Sequence, residues 1–166
     1  MGLFSFVTDA GGALGSSIYD MLNDDEDINK PATISPERMS EIRTKGMRQA
    51  LDEEFGDTVS NVVVAVNVDA VTLTGTIADQ ETCEKVTLSA GNRHGITSVD
   101  CQIEVEQTAP EAVFYTVKPG DSLSKIAKEV YQNAGKYGLI FEANKPMLTD
   151  PNKIYPGQTL RIPPLS

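Results

Sequence analysis

Residues 61–77, NVVVAVNVDAVTLTGTI, repeat with a period of two. Val62, Val64, Val66 and Val68 alternate with Asn61, Val63, Ala65 and Asn67; after a break, Val71, Leu73 and Ile77 alternate with Thr72, Thr74 and Thr76. Successive side chains of a strand point to opposite faces, whereas a helix would scatter this set around its circumference. The stretch therefore predicts two neighbouring strands with a tight turn at Asp69 and Ala70, the second strand carrying one apolar and one hydroxyl face. Val99, Cys101, Ile103 and Val105 alternate with Asp100, Gln102, Glu104 and Glu106, a third strand with Cys101 on its inner side.

Helical signals bracket these strands. Ser35 followed by Pro36 is a helix opening, with the hydroxyl capping and proline in the first turn. Met39, Ile42, Gly46, Ala50, Leu51 and Phe55 follow at helical spacing, and Gly56 supplies the stop. Asp79 caps a second helix carrying Cys83, Val86 and Ala90, which Gly91 ends. The order helix, strand, strand, helix, strand is an α+β arrangement with its helices on one face of a small sheet. Between the second helix and the third strand lies GNRHGI, residues 91–96, with two glycines, an arginine and the chain's one histidine.

The tail carries the same kinds of signal on a smaller scale. Tyr115 and Val117 belong to a short strand, Pro119 and Gly120 to a turn, and Ser122 caps a helix with the stripe Leu123, Ile126, Ala127 and Val130. A second helical stripe, Tyr137, Ile140 and Phe141, ends near Asn144 and Pro146. Pro156 and Gly157 turn the chain into a last strand with Leu160 and Ile162, giving strand, helix, helix, strand.

Fourteen Lys and Arg stand against 24 Asp and Glu, a formal charge of -10. A nucleic-acid backbone or an anionic lipid surface is repelled by such a chain, whereas a cation is drawn toward it. The first 22 residues lack the basic start of an export signal, Asp9 interrupts their apolar run, and Phe6 stands where myristoylation needs Ser or Thr, so a cytoplasmic location is expected. Leu3, Phe4, Phe6 and Val7, then Leu14, Ile18, Met21 and Leu22, form an apolar segment too short to stand alone. Asp24, Asp25, Glu26 and Asp27 lack the EF-hand glycine and terminal Glu and read as a solvated linker. Cys83 and Cys101 have neither zinc nor redox spacing and read as small core residues. No nucleophile elbow, phosphate loop or HExxH motif is present, so the chain does not read as an enzyme, and His94 reads as a solvated loop residue.

The first unit, with VTLTG on its second strand and GITSVD entering its third, resembles a BON domain (αββαβ) over residues 37–107. The tail, with YTVKPGDSLSKIA, FEANKPML and IYPGQTLRIP, resembles the LysM module (βααβ) over about residues 113–163. LysM modules commonly bind N-acetylglucosamine-containing glycans, which implies Gly120, Asp121, Ser122, Asn144 and Met147 as carbohydrate-binding candidates. Taken whole, from MGLFSFV onward, the chain is similar to small cytoplasmic bacterial potassium-binding proteins of BON-plus-LysM architecture.

That resemblance implies a bound K+ held by main-chain carbonyls. VTDAGG would supply Val7, Ala10 and Gly12, and GNRHGI would supply Gly91, Arg93 and Ile96. The implied organisation is an N-terminal segment (1–22) packed on BON and contributing to the ion site, an acidic linker (23–36), BON (37–107), a brief linker (108–112) and LysM (113–166). The implied form is a monomer whose partner is the potassium ion, with the N-terminal segment, BON and LysM drawn together by it. A peptidoglycan-binding LysM protein and a phospholipid-associated stress protein are the alternatives. Elementary chemistry supports the ion: carbonyl oxygens replace the water shell of K+ without any carboxylate. The last carbonyls of a helix lack helical partners and carry the negative end of its dipole, and Gly91 and Gly95 are expected to let the chain turn there.

Overall fold

The computed structural model describes residues 2–6 and 35–165. Along the chain the elements are β1 (Leu3–Ser5), α1 (Pro36–Phe55), β2 (Val62–Asn67), β3 (Ala70–Asp79), α2 (Gln80–Gly91), β4 (Ser98–Gln107), β5 (Val113–Thr116), α3 (Leu123–Tyr131), α4 (Tyr137–Ala143) and β6 (Thr159–Ile162). The helix starts follow the capping chemistry expected of them. The Ser35 hydroxyl accepts from Arg38 N–H, Asp79 accepts from Thr82 N–H at 2.8 Å, and Ser122 accepts from Lys125 N–H at 3.3 Å. Gly56 closes α1 at φ +56°.

The main sheet runs in the order β1-β4-β3-β2. β2 and β3 pair antiparallel, with Val64 opposite Leu73 and Val66 opposite Val71, and β3 pairs parallel to β4 across the α2 crossover. Period-two alternation puts Val62, Val64, Val66, Val71, Leu73, Ile77, Val99, Cys101 and Ile103 on the buried side, against α1 and α2. Burial of such a set removes apolar surface from water at about 25 cal/mol per Å2, the main force holding the unit together. The outer edge of β2 is covered by α1: Thr44 accepts from Val66 N–H at 2.9 Å, and Arg48 donates to the carbonyls of Val59 and Val62.

Three details differ from the sequence reading. The tight turn is Val68–Asp69, not Asp69–Ala70: Val68 takes φ +55° and is 59% exposed, so the fourth valine of the run leaves the core. Its carbonyl accepts from Arg43, which offsets an unfavourable conformation for a β-branched residue. β3 continues past Ile77 to Asp79, and at Gly75 (φ +118°) a β-carbon would lie 2.0 Å from the Asn61 carbonyl oxygen. The start of the N-terminal segment is a strand: β1 adds to β4 antiparallel, Leu3 opposite Asp100 and Ser5 opposite Ser98. The remainder of that segment and the acidic run lie outside the described residues.

The second unit pairs β5 with β6 and packs α3 and α4 on them through Val117, Leu123, Ile126, Ala127, Ile140, Leu148, Leu160 and Ile162. Val130 and Tyr137, expected on the inner stripes, are exposed instead, because these short helices bury only a narrow face. Cys83 and Cys101 meet in the first core with sulfurs 3.7 Å apart, too far for a disulfide. The hydrogen bond to Cys101 and burial hold the Cys83 thiol above the ordinary thiol range. Gly75→Ala is expected to destabilise the protein by about 1–3 kcal/mol, because strand and neighbouring loop must separate to admit the methyl group; urea unfolding of the two proteins measures it.

Candidate cation site and the junction between the units

The loop after α2 is fixed from three sides. Asn92 N–H continues the helix to the Leu88 carbonyl at 2.9 Å, Thr97 N–H donates to the Asp69 carbonyl at 2.8 Å, and Thr97 Oγ1 donates to the Asp69 carboxylate at 2.8 Å. The third side is the N-terminal strand, where Phe6 N–H donates to the Thr97 carbonyl at 2.8 Å. Phe6 is buried, and its ring lies directly over Gly91. A β-carbon on Gly91 would fall 2.1–2.4 Å from three ring atoms, so glycine is needed there for close approach. This corrects the expectation that Gly91 serves to turn the backbone. α2 continues through Gly91, and the residue that takes positive φ is Gly95, at +78°.

The implied ligand positions divide accordingly. Val7, Ala10 and Gly12 lie outside the described residues; Phe6, the last described residue before them, rests on Gly91. Gly91 and Ile96 are buried and Arg93 is partly buried. Among the described residues nothing donates a hydrogen bond to the carbonyls of Gly91 or Ile96, and the Arg93 carbonyl accepts one, from Ile96 N–H at 3.2 Å, leaving a lone pair. Gly91 ends α2, so its carbonyl carries the negative end of the helix dipole, and uncharged main-chain oxygens are a donor type that fits a large monovalent cation. No group of three or more His, Cys, Asp or Glu among the described residues could hold a metal ion, and His94 is exposed.

The cationic side chain at Arg93 is paired with a carboxylate. Its guanidinium donates to the Glu54 carboxylate of α1 at 2.6 Å, and Ser89 also donates to Glu54. Among the described residues Arg93 Nε is buried without a partner. The arginine thereby ties the loop to α1 and leaves its main chain for other use.

α2 is buried on a second face as well, and the sequence reading missed it. Glu84, Leu88 and Asn92 follow at i, i+4 and i+8, and all three are buried against the second unit. Glu84 accepts from Arg161 of β6 at 2.6 Å, from Ala112 N–H at 3.1 Å and from Gln80 at 3.0 Å, so the ion pair is enclosed and both carboxylate oxygens are hydrogen-bonded. Removing one partner of such a pair typically costs about 3–5 kcal/mol. Asn92 accepts from Thr159 N–H at 2.7 Å and donates to the Thr159 carbonyl at 2.8 Å. Phe4 of β1 meets Phe114 of β5 edge to face, ring centres 5.2 Å apart, so the N-terminal strand touches both units.

The five carbohydrate candidates do not share one surface. Asp121 and Ser122 line a groove of about 370 Å3 with Leu123, Ser124, Tyr137 and Asn152, and Gly120 is exposed at φ +84° in the adjoining turn. Asp121 accepts from Lys118 N–H at 2.9 Å and from Tyr115 OH at 3.0 Å, so part of its hydrogen-bonding capacity shapes the turn. Burial, with the carboxylates of Asp121 and Glu129, pushes the Tyr115 phenol up to about 12. Asn144 is buried elsewhere: it accepts from Arg161 N–H at 2.7 Å and donates to the Arg161 carbonyl at 2.8 Å. Met147 packs between the two cores, its sulfur 3.2 Å from Asn92 Nδ2.

Comparison with known proteins gives three findings. Residues 115–163 match the LysM domain family. Over 163 residues the chain is 40% identical to the "Potassium binding protein Kbp" of Escherichia coli O6:H1, an alignment covering 98% of this chain and 99% of that protein. The chain belongs to the Kbp family. A second relative, an uncharacterized protein of Deinococcus radiodurans, is 31% identical over 150 residues, covering 84% of this chain and 55% of that protein. The Kbp alignment spans both units and the junction between them, so the α2 loop and the β6 edge are compared as one piece.

Gly91→Ala is the most direct probe of this arrangement. It is expected to displace Phe6 and detach β1, with a loss of about 1–3 kcal/mol and earlier proteolysis at the N-terminus. Gly95→Ala perturbs only the loop backbone, so a comparison of the two by thermal unfolding and limited proteolysis separates strand anchoring from loop conformation.

Proposed function

We propose that the chain is a cytoplasmic potassium-binding protein, a monomer that acts as sensor or buffer and not as an enzyme. Near-complete alignment at 40% identity with a protein named for potassium binding carries this reading. The ligands in this reading are the main-chain carbonyls of Val7, Ala10 and Gly12 from the N-terminal segment and of Gly91, Arg93 and Ile96 from the α2 loop. Phe6 on Gly91 supports it, because the segment enters the fold beside the loop. The bound ion supplies a positive charge that repelling carbonyl dipoles need in order to converge. Binding to the closed arrangement alone draws the N-terminal segment, the BON-like unit and LysM together by mass action.

Among the described residues no helix is long and apolar enough to cross a membrane. With the acidic charge of the chain, this reading includes neither nucleic acid nor a lipid surface as a partner. A glycan-binding role for LysM is the second reading, favoured by the groove at Asp121, Ser122 and Tyr137. Co-sedimentation with purified peptidoglycan tests it, and protein left in the supernatant counts against it.

The potassium reading is tested by calorimetric titration and thermal unfolding of protein stripped of monovalent ions. KCl is expected to give saturable heat and to raise Tm by several degrees over NaCl or LiCl at equal ionic strength. An equal response to all three salts would remove the selectivity, and no binding heat with any of them would remove the reading.

A further inference from the structure

The loop proposed to hold the ion and the edge strand of LysM share a single side chain. The Asn92 carboxamide accepts from Thr159 N–H at 2.7 Å and donates to the Thr159 carbonyl at 2.8 Å. This two-way exchange is what a neighbouring strand would offer Thr159, so an asparagine from α2 stands in for a strand on the outer edge of β6. Two residues further along the same edge, Asn144 does the same for Arg161 from inside the unit. β6 is thus edged by two asparagines, one of its own unit and one belonging to the α2 loop.

Asn92 cannot move independently of the loop. Its backbone lies between Gly91 and Arg93, its N–H donates to the Leu88 carbonyl at 2.9 Å, and its Nδ2 donates to the same carbonyl at 3.0 Å. The residue is 4% exposed and its Nδ2 also lies 3.2 Å from the Met147 sulfur, so the carboxamide is held in one orientation. Any shift of the Gly91 and Arg93 carbonyls therefore carries the carboxamide with it. Thr159, buried, has no water to take over its two backbone groups.

We propose that Asn92 is the positioning residue that couples ion occupancy of the 91–96 loop to docking of the LysM edge strand. The inference rests on the potassium reading above. Its side chain touches no ion; it transmits the set of the loop to β6. The Glu84–Arg161 pair has a different part, since it joins the same strand to α2 two helical turns before the loop and holds LysM whether or not the loop is ordered. The two contacts divide the junction into a standing attachment and an ion-responsive one.

Amide hydrogen exchange of the full chain, read by NMR with and without KCl, tests the coupling, with calorimetry run on the same samples. In the wild type, K+ is expected to slow exchange at Thr159 tenfold or more. Val117, whose N–H donates to the Gln158 carbonyl at 2.8 Å within the same unit, is expected to change far less. In Asn92→Asp, which keeps the size and the acceptor but loses the donor and sets a carboxylate against two carbonyls, K+ is expected to bind while Thr159 exchange stops responding. Wild-type protein that binds K+ with no change at Thr159, or a variant whose Thr159 responds as fully as the wild type's, overturns the coupling and leaves the potassium reading standing. Wild-type protein that gives no binding heat overturns both. Should the variant not fold, the wild-type comparison of Thr159 with Val117 decides alone.

Discussion

The ring of Phe6 occupies the space in which any other residue at position 91 would place its β-carbon, and the remaining features of the candidate site follow from that contact. It brings the N-terminal strand to the end of α2, where carbonyls run out of helical partners. It also sets the register of β1, because Phe6 N–H donates to Thr97 in line with the pairing of Leu3 and Ser5 to β4. A three-residue edge strand would hold weakly by its ladder alone. One aromatic ring seated on a glycine, with Phe4 against Phe114, gives it an anchor in each unit.

A second constraint is that α2 is buried on both faces. Cys83, Val86 and Ala90 pack on the sheet, while Glu84, Leu88 and Asn92 meet the second unit. A helix so enclosed cannot leave polar groups unpaired at small cost, and its buried polar side chains are correspondingly occupied: Gln80 with Glu84, Thr87 with the Cys83 carbonyl, Ser89 with Glu54, Asn92 with Thr159. The same enclosure places the end of the helix in surroundings of low polarisability, where its dipole acts on a cation more strongly than at a wetted surface. Arg93 would oppose that field from an unpaired position, and its pairing with Glu54 lifts the opposition.

Much of the fold was legible because its signals are local. Strand alternation, the serine and aspartate caps and the glycine stop at Gly56 each depend on a few neighbouring residues, and the elements formed where those signals stood. Val68 misled because period two continues through it, whereas the turn needed two residues and took the valine. Gly91 misled in another way: a glycine at a helix end has two uses, and only the distant Phe6 reveals which one applies. Glu84 and Asn92 were invisible as junction residues because charged and amide side chains on a helix usually face water. Leu88 on their side of the helix was the one available sign. Asn144 and Met147 followed the LysM pattern into a carbohydrate set, yet their contacts lie with Arg161 and Asn92.

In the proposed reading, uncharged main-chain oxygens at the end of α2, with those of the segment beginning at Val7, form one site for an alkali cation. Anomalous diffraction from a crystal of the full chain grown in rubidium chloride in place of potassium chloride tests it most directly. A single strong peak is expected beside the carbonyls of Gly91, Arg93 and Ile96. A peak at carboxylate side chains, or none at the loop in a crystal that retains Phe6 on Gly91, contradicts it.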